Sequence, residues 1–155
     1  MAAGAERVDG TSGGSAPGVV KCDGTSGGSA PGVVKCYEGG CHCGRVRFEV
    51  KTDKTVALDC NCSICTKKGY LHLIVPKEKF KLLLGELALS TYTFNTGVAK
   101  HHFCRVCGIA PFYRPRSHPD AYDVNVRCLD GDSMKEFGVE PFDGAHWEES
   151  VARIR

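Results

Sequence analysis

Ten cysteines in 155 residues constrain this chain more than any other feature, and seven of them fall into three tight clusters. Cys41-His-Cys43-Gly is a Cys-x-Cys pair, and Cys60-Asn-Cys62-Ser-Ile-Cys65 is a Cys-x-Cys-x-x-Cys triplet. Cys104-Arg-Val-Cys107-Gly is a Cys-x-x-Cys knuckle. In an exported chain ten cysteines would make five disulfides, whereas in a reducing compartment closely spaced thiols bind metal. The opening Met1-Ala-Ala-Gly-Ala-Glu-Arg-Val-Asp9 places charges where an export signal needs an apolar run. The expectation is therefore an intracellular protein, cytoplasmic or nuclear and not secreted, with its thiols on metal.

Close cysteine pairs suit tetrahedral zinc, because one tight turn presents two thiolates about 2.3 Å from the ion. The glycine after the knuckle, Gly108, lets the backbone turn through positive φ and aim amides at the sulfurs. Seven ligands divide into four and three. Cys41, Cys43, Cys104 and Cys107 suit a closed structural site that staples the start of the domain to its second half. Cys60, Cys62 and Cys65 then leave one position open, as a catalytic or ligand-binding zinc requires. Two zinc ions per chain are expected. Spacing alone does not settle which clusters pair, nor whether the triplet is closed by a further residue. The candidates for such a residue are Cys128 first, then His72, His101 and His102. His42 reads as solvated or packed, and His118 and His146 as surface residues. Lys67 and Lys68 follow the triplet and would attract an anion, although adjacent lysines ordinarily mark a solvated turn.

The rest of the chain supplies the scaffold. Residues 9–22 recur unchanged as 23–36, a Gly/Ser-rich unit with almost nothing to bury, so 1–36 reads as a flexible tail. Cys22 and Cys36 lie in the two copies and are set aside from the metal sites. Residues 37–155 read as one domain of short β-rich runs broken by Gly, Pro, Asn and Asp. Strands are expected over 45–50, 56–59, 71–75, 80–84, 89–94, 100–103, 110–113 and 122–126. A short helix is expected over 145–154, capped by Asp143-Gly144 and burying Trp147 and Val151 together. Many short strands with little helix mean an antiparallel all-β domain. Its 17 Lys/Arg against 15 Asp/Glu leave no basic surplus, so nucleic acid is not an expected partner. The longest apolar runs, 71–75 and 82–84, fall far short of the roughly 20 residues that span a bilayer.

Gly39-Gly-Cys-His-Cys-Gly-Arg-Val-Arg-Phe48 and Asp59-Cys-Asn-Cys-Ser-Ile-Cys-Thr-Lys-Lys68 are followed in order by four further stretches. These are Thr91-Tyr-Thr-Phe-Asn-Thr96, Phe103-Cys-Arg-Val-Cys-Gly108, Phe112-Tyr-Arg-Pro-Arg-Ser117 and Cys128-Leu-Asp130. Together they resemble the glutathione-dependent formaldehyde-activating enzymes, most closely the centromere protein V branch. Gly108-Ile-Ala-Pro111 departs from that branch, and the Gly/Ser repeat stands where the branch carries a long basic region. The resemblance implies a β-tent, several short antiparallel coiled sheets stapled by zinc. It also implies a structural zinc on Cys41, Cys43, Cys104 and Cys107, and a catalytic zinc on Cys60, Cys62 and Cys65. Three thiolates leave zinc a weak Lewis acid, suited less to making hydroxide than to holding a soft substrate thiol. The expected chemistry is that of a carbon–sulfur lyase, joining glutathione to a small aldehyde such as formaldehyde or releasing it. Lys67, Lys68, Arg114 and Arg116 are candidates to screen the peptide's carboxylates. The alternative is a non-catalytic zinc module of the centromere type with chromatin, microtubule or protein partners.

Overall fold

The computed structural model describes residues 32–155. The expected tail over 1–36, and Cys22 with it, lies outside the described residues but for its last five positions. Of those, Lys35 and Cys36 begin a strand, so the domain starts slightly earlier than the change in composition suggests.

Ten strands form in the order β1 Lys35–Gly40, β2 Arg47–Thr52, β3 Val56–Cys60, β4 Leu71–Pro76 and β5 Phe80–Leu84, then β6 Leu89–Tyr92, β7 Lys100–Cys104, β8 Phe112–Arg114, β9 Ala121–Asn125 and β10 Gly138–Phe142. Two short helices, α1 Ser63–Lys68 and α2 Trp147–Ser150, complete the set. The smaller sheet has the order β1-β2-β5, and the larger the order β10-β3-β4-β9-β8-β7-β6. The all-β expectation holds. Every pair is antiparallel except β10 with β3, which run parallel with Phe142 opposite Cys60.

Alternation along the strands explains where the core sits. In β2, Phe48, Val50 and Thr52 point inward while Arg47, Glu49 and Lys51 point away. The inward face meets Leu73 and Val75 of β4 and Val124 of β9, all buried. Between the sheets, Phe80 stacks on Phe48 at 5.7 Å and on Tyr122 at 4.3 Å, with Phe112 at 4.8 Å. Each side chain buried this way contributes about 1.5–3 kcal/mol.

Four elements depart from the sequence reading, the first being β1, which no expected strand covers. Helix α1 spans six residues directly after Cys62, where turn residues and lysines suggest a loop. Strand β10 contains Pro141, which is tolerated because β10 is an edge strand and needs no donor on its outer side. The C-terminal helix is real but contracted: α2 is one turn, flanked by 3-10 turns at Gly144–His146 and Val151–Arg153. Val151 is buried as expected, whereas Trp147 is only half-buried. Among the described residues no helix is long and apolar enough to cross a membrane.

Candidate metal centres and the cavity beside them

The first cluster forms where β1 and β7 end. After Gly40 the chain turns, with Gly44 N–H donating to the Cys41 carbonyl and Val46 N–H donating to the Cys41 sulfur at 3.3 Å. After Cys104 it turns again, closed by Gly108 N–H on the Cys104 carbonyl at 2.8 Å, with Gly108 at φ 76°. These turns gather the sulfurs of Cys41, Cys43, Cys104 and Cys107 within 4.8 Å of one another. The Cys43 sulfur is 3.5 Å from Cys41 and 3.6 Å from Cys104. Burial raises the Cys104 thiol, but the amides of Cys107 and Val106 outweigh it and hold it below the ordinary thiol range. Burial likewise raises Cys107, and the amides of Cys43 and Ile109 bring it down to about 6. Burial raises Cys41 to about 11, but four sulfurs gathered this closely, with Cys104 and Cys107 drawn toward the thiolate, are the donor set of a closed tetrahedral site. Cys128 lies on this side of the molecule, toward Cys41 and Cys107, and its thiol contacts the Ala110 carbonyl at 3.9 Å. Burial pushes Cys128 up to about 12, and it is not placed to close the triplet.

The second cluster forms between β3 and α1. Cys60 ends the strand, Cys62 precedes the helix and Cys65 lies within it, placing three sulfurs within 4.8 Å of one another. Asn61 ties this loop to the C-terminal segment. Its amide donates to Asp143 at 2.9 Å, its carbonyl oxygen accepts from Ala145 N–H at 2.9 Å, and its N–H donates to the Phe142 carbonyl. Gly144 then passes so near that an added Cβ would lie 2.3 Å from the Cys60 sulfur. Hydrogen bonds from Cys62 and Cys65 hold Cys60 as a thiolate, while the hydrogen bonds of Cys65 with Cys60 and Cys62 push Cys65 far up. The crowding thus leaves a proton on Cys65 that a bound cation would displace.

His72, on β4, completes the surroundings of the triplet. Its Nδ1 meets Asp123 of β9 at 2.8 Å, both side chains being buried. Asp123 also accepts from Leu73 N–H at 3.2 Å. The other ring nitrogen of His72, Nε2, is buried without a hydrogen-bond partner among the described residues. Burial lowers the imidazole, but attraction to Asp123 and to the Cys60 thiolate raises it further, to about 10. A ring nitrogen fixed by a carboxylate, with its opposite nitrogen unsatisfied beside thiolates, is the surrounding a metal site builds for itself. The donor set and this orphaned atom both fit a soft divalent ion such as zinc.

The remaining sequence candidates separate cleanly. His101 is buried, stacked on Tyr113 at 4.8 Å, with Nδ1 3.3 Å from Lys68 Nζ. Burial brings it down to about 4, so it is neutral. His102 points to the other side of β7 and contacts Thr91 at 2.9 Å. His42 is exposed and belongs to neither cluster, and His118 contacts Ser117. His146 is exposed and pairs with Asp143 at 2.8 Å. Arg114 lies over Tyr122. Of the four candidate cations only Arg116 lines the cavity onto which the triplet opens, its guanidinium 4.4 Å over the Trp147 ring. That cavity measures about 530 Å³ and includes His72, Asp123, Tyr113 and Trp147 in its walls. Sequence reasoning missed Asp123 altogether. The signal was there, since Asp123 is the one charged residue of its strand and sits between the apolar Tyr122 and Val124.

Two comparisons place this architecture among known proteins. Residues 36–142, more than half of the chain, match the family model "Glutathione-dependent formaldehyde-activating enzyme". The chain belongs to the glutathione-dependent formaldehyde-activating family. A crystal structure of a Rhodobacter sphaeroides protein is similar at 37% sequence identity and a TM-score of 0.61, over 67% of this chain and 97% of that one.

Proposed function

We propose that this protein is a zinc-dependent carbon–sulfur lyase acting on the adduct of a thiol, glutathione above all, with a small aldehyde such as formaldehyde. The observation that carries this reading is the difference between the clusters. Four sulfurs close the first, while three form the second beside an open cavity and an unpartnered His72 Nε2. In this reading Cys41, Cys43, Cys104 and Cys107 hold a structural zinc, and Cys60, Cys62 and Cys65 hold the zinc that serves catalysis. Zinc on three thiolates supplies a seat for a substrate thiolate.

The chain's own residues supply the rest. Asp123 fixes the His72 ring in the cavity wall, where the imidazolium holds a proton that the thiol's own proton replaces once it is given up. In the addition, a carbon–sulfur bond forms at the carbonyl carbon and the carbonyl π pair passes to oxygen, which takes that proton. The reverse sequence is the lyase direction. Arg116 offers the cavity's guanidinium to a peptide carboxylate, with Glu148 3.7 Å away as an exposed and weakly held partner.

Turnover tests the reading directly. Zinc-loaded protein is expected to form S-hydroxymethylglutathione faster than the spontaneous reaction, and Cys62→Ser to return the rate to background while the protein stays folded. A native protein that never exceeds background would leave the non-catalytic zinc module as the better reading.

A further inference from the structure

The wall nearest the triplet is hydrocarbon. Cys60 and Cys65 share an apolar cluster with Phe142, and Leu58, Ile64, Trp147 and Ile154 pack against it partly exposed. All of these side chains also line the cavity of about 530 Å³. Much of the polar lining, His72 with Asp123 and Ser117 among it, comes from other strands and loops, while Ser63, Glu148 and Glu149 border the apolar side chains. The carbon attached to a sulfur bound at the triplet therefore emerges beside apolar side chains. A hydroxymethyl group, one carbon and one oxygen, would leave most of that wall wet. Such a wall gains free energy only when hydrocarbon covers it.

The wall is also rigid. Trp147 lies edge-on to Phe142 at 6.3 Å between ring centres, and Arg116 sits on its face at 4.4 Å. Asn61 holds the segment carrying Trp147 to the cysteine loop through two hydrogen bonds of 2.9 Å. An apolar surface pre-shaped in this way favours binding because little ordering is left to do.

We propose that the adduct this site takes is a thiohemiacetal of an apolar aldehyde of several carbons, its alkyl or aryl group seated against Ile64, Phe142, Trp147 and Ile154. This rests on the thiol chemistry proposed above and names its carbon partner. The balance is that of the simplest case. Thiol sulfur bonds to the carbonyl carbon, the π pair goes to oxygen, and the thiol proton ends on that oxygen, with no oxidant or reductant. Formaldehyde is the smallest member of the class and not the one that fills the site.

Calorimetric titration of the zinc-loaded protein with glutathione and with S-methyl-, S-propyl-, S-hexyl- and S-benzylglutathione tests this. Each added methylene is expected to tighten binding about fourfold, so that S-hexyl exceeds S-methyl by roughly a thousandfold if the whole alkyl chain is covered. S-benzyl should fall with the tight binders. In Trp147→Ala, and separately in Ile154→Ser, the ratio of S-hexyl to S-methyl affinity should drop about tenfold, a ratio that internal comparison protects from partial unfolding. Glutathione binding with a flat alkyl series overturns the apolar partner and leaves the thiol reading standing. Failure of glutathione and of every S-substituted probe to bind overturns both. A rising series that neither variant changes places the gain elsewhere and overturns the assignment to this wall.

Discussion

Cys104→Ser is expected to unfold the domain. Cys104 is fully buried at the end of β7, accepts hydrogen bonds from neighbouring amides, and gathers with Cys43 and Cys41 from the turn after β1. The first cluster thereby joins the three-stranded sheet to the seven-stranded one. A structural zinc contributes on the order of 10 kcal/mol to folding, comparable to the roughly 5–15 kcal/mol total stability of a domain. Removing one thiolate removes most of that contribution, because serine is a poor zinc ligand. Circular dichroism melts should show no cooperative transition near the native one, and elemental analysis should show the metal of this cluster gone. A melting temperature within a few degrees of native would mean that the sheets hold each other without this cluster.

Gly144→Ala is expected to act on the other cluster alone. The backbone at Gly144 is ordinary, so the effect is steric: the new methyl would lie 2.3 Å from the Cys60 sulfur and 3.3 Å from the Cys62 Cβ. The sulfur is buried and cannot swing clear. Overpacking of this kind destabilises by about 1–3 kcal/mol, which leaves the domain folded. The displaced sulfur, however, no longer fits a site with its two neighbours. Elemental analysis should therefore show one of two metal equivalents lost, with a melting temperature lowered by only several degrees. Two equivalents in the alanine variant, at native affinity, would show that the triplet is looser than this packing implies.

These two effects share a lesson about what residues reveal in order. Each cysteine pair and the triplet were legible because they are local and tetrahedral zinc demands such spacing, whereas spacing did not settle that Cys41 and Cys43 meet Cys104 and Cys107. The strands from β2 to β9 were legible from alternation such as that of Phe48 and Val50. What was not legible depends on the chain's return from a distance. His72 is separated from Asp123 by 51 residues, and nothing near either position announces the other. Cys128 stood first among the candidates for a fourth ligand, whereas the fold carries Cys128 toward the first cluster and sets His72 beside the second. Helix α1 is too short to show a period, and β10 is an edge strand whose Pro141 reads as a breaker. The C-terminal segment was read as a helix, and its service as the lid of Cys60 through Gly144 became visible only in three dimensions.

In the proposed mechanism the Cys60, Cys62 and Cys65 site keeps a coordination position for a substrate sulfur. Cobalt-substituted protein tests it most directly, because sulfur-to-metal charge-transfer bands report how many thiolates are bound. Glutathione is expected to strengthen those bands, and Cys65→Ser to weaken or abolish the response. S-methylglutathione, which has no free thiol, should bind the cavity without strengthening them. Identical spectra with glutathione and its S-methyl analogue would mean that substrate sulfur never enters the coordination sphere, and would contradict the account.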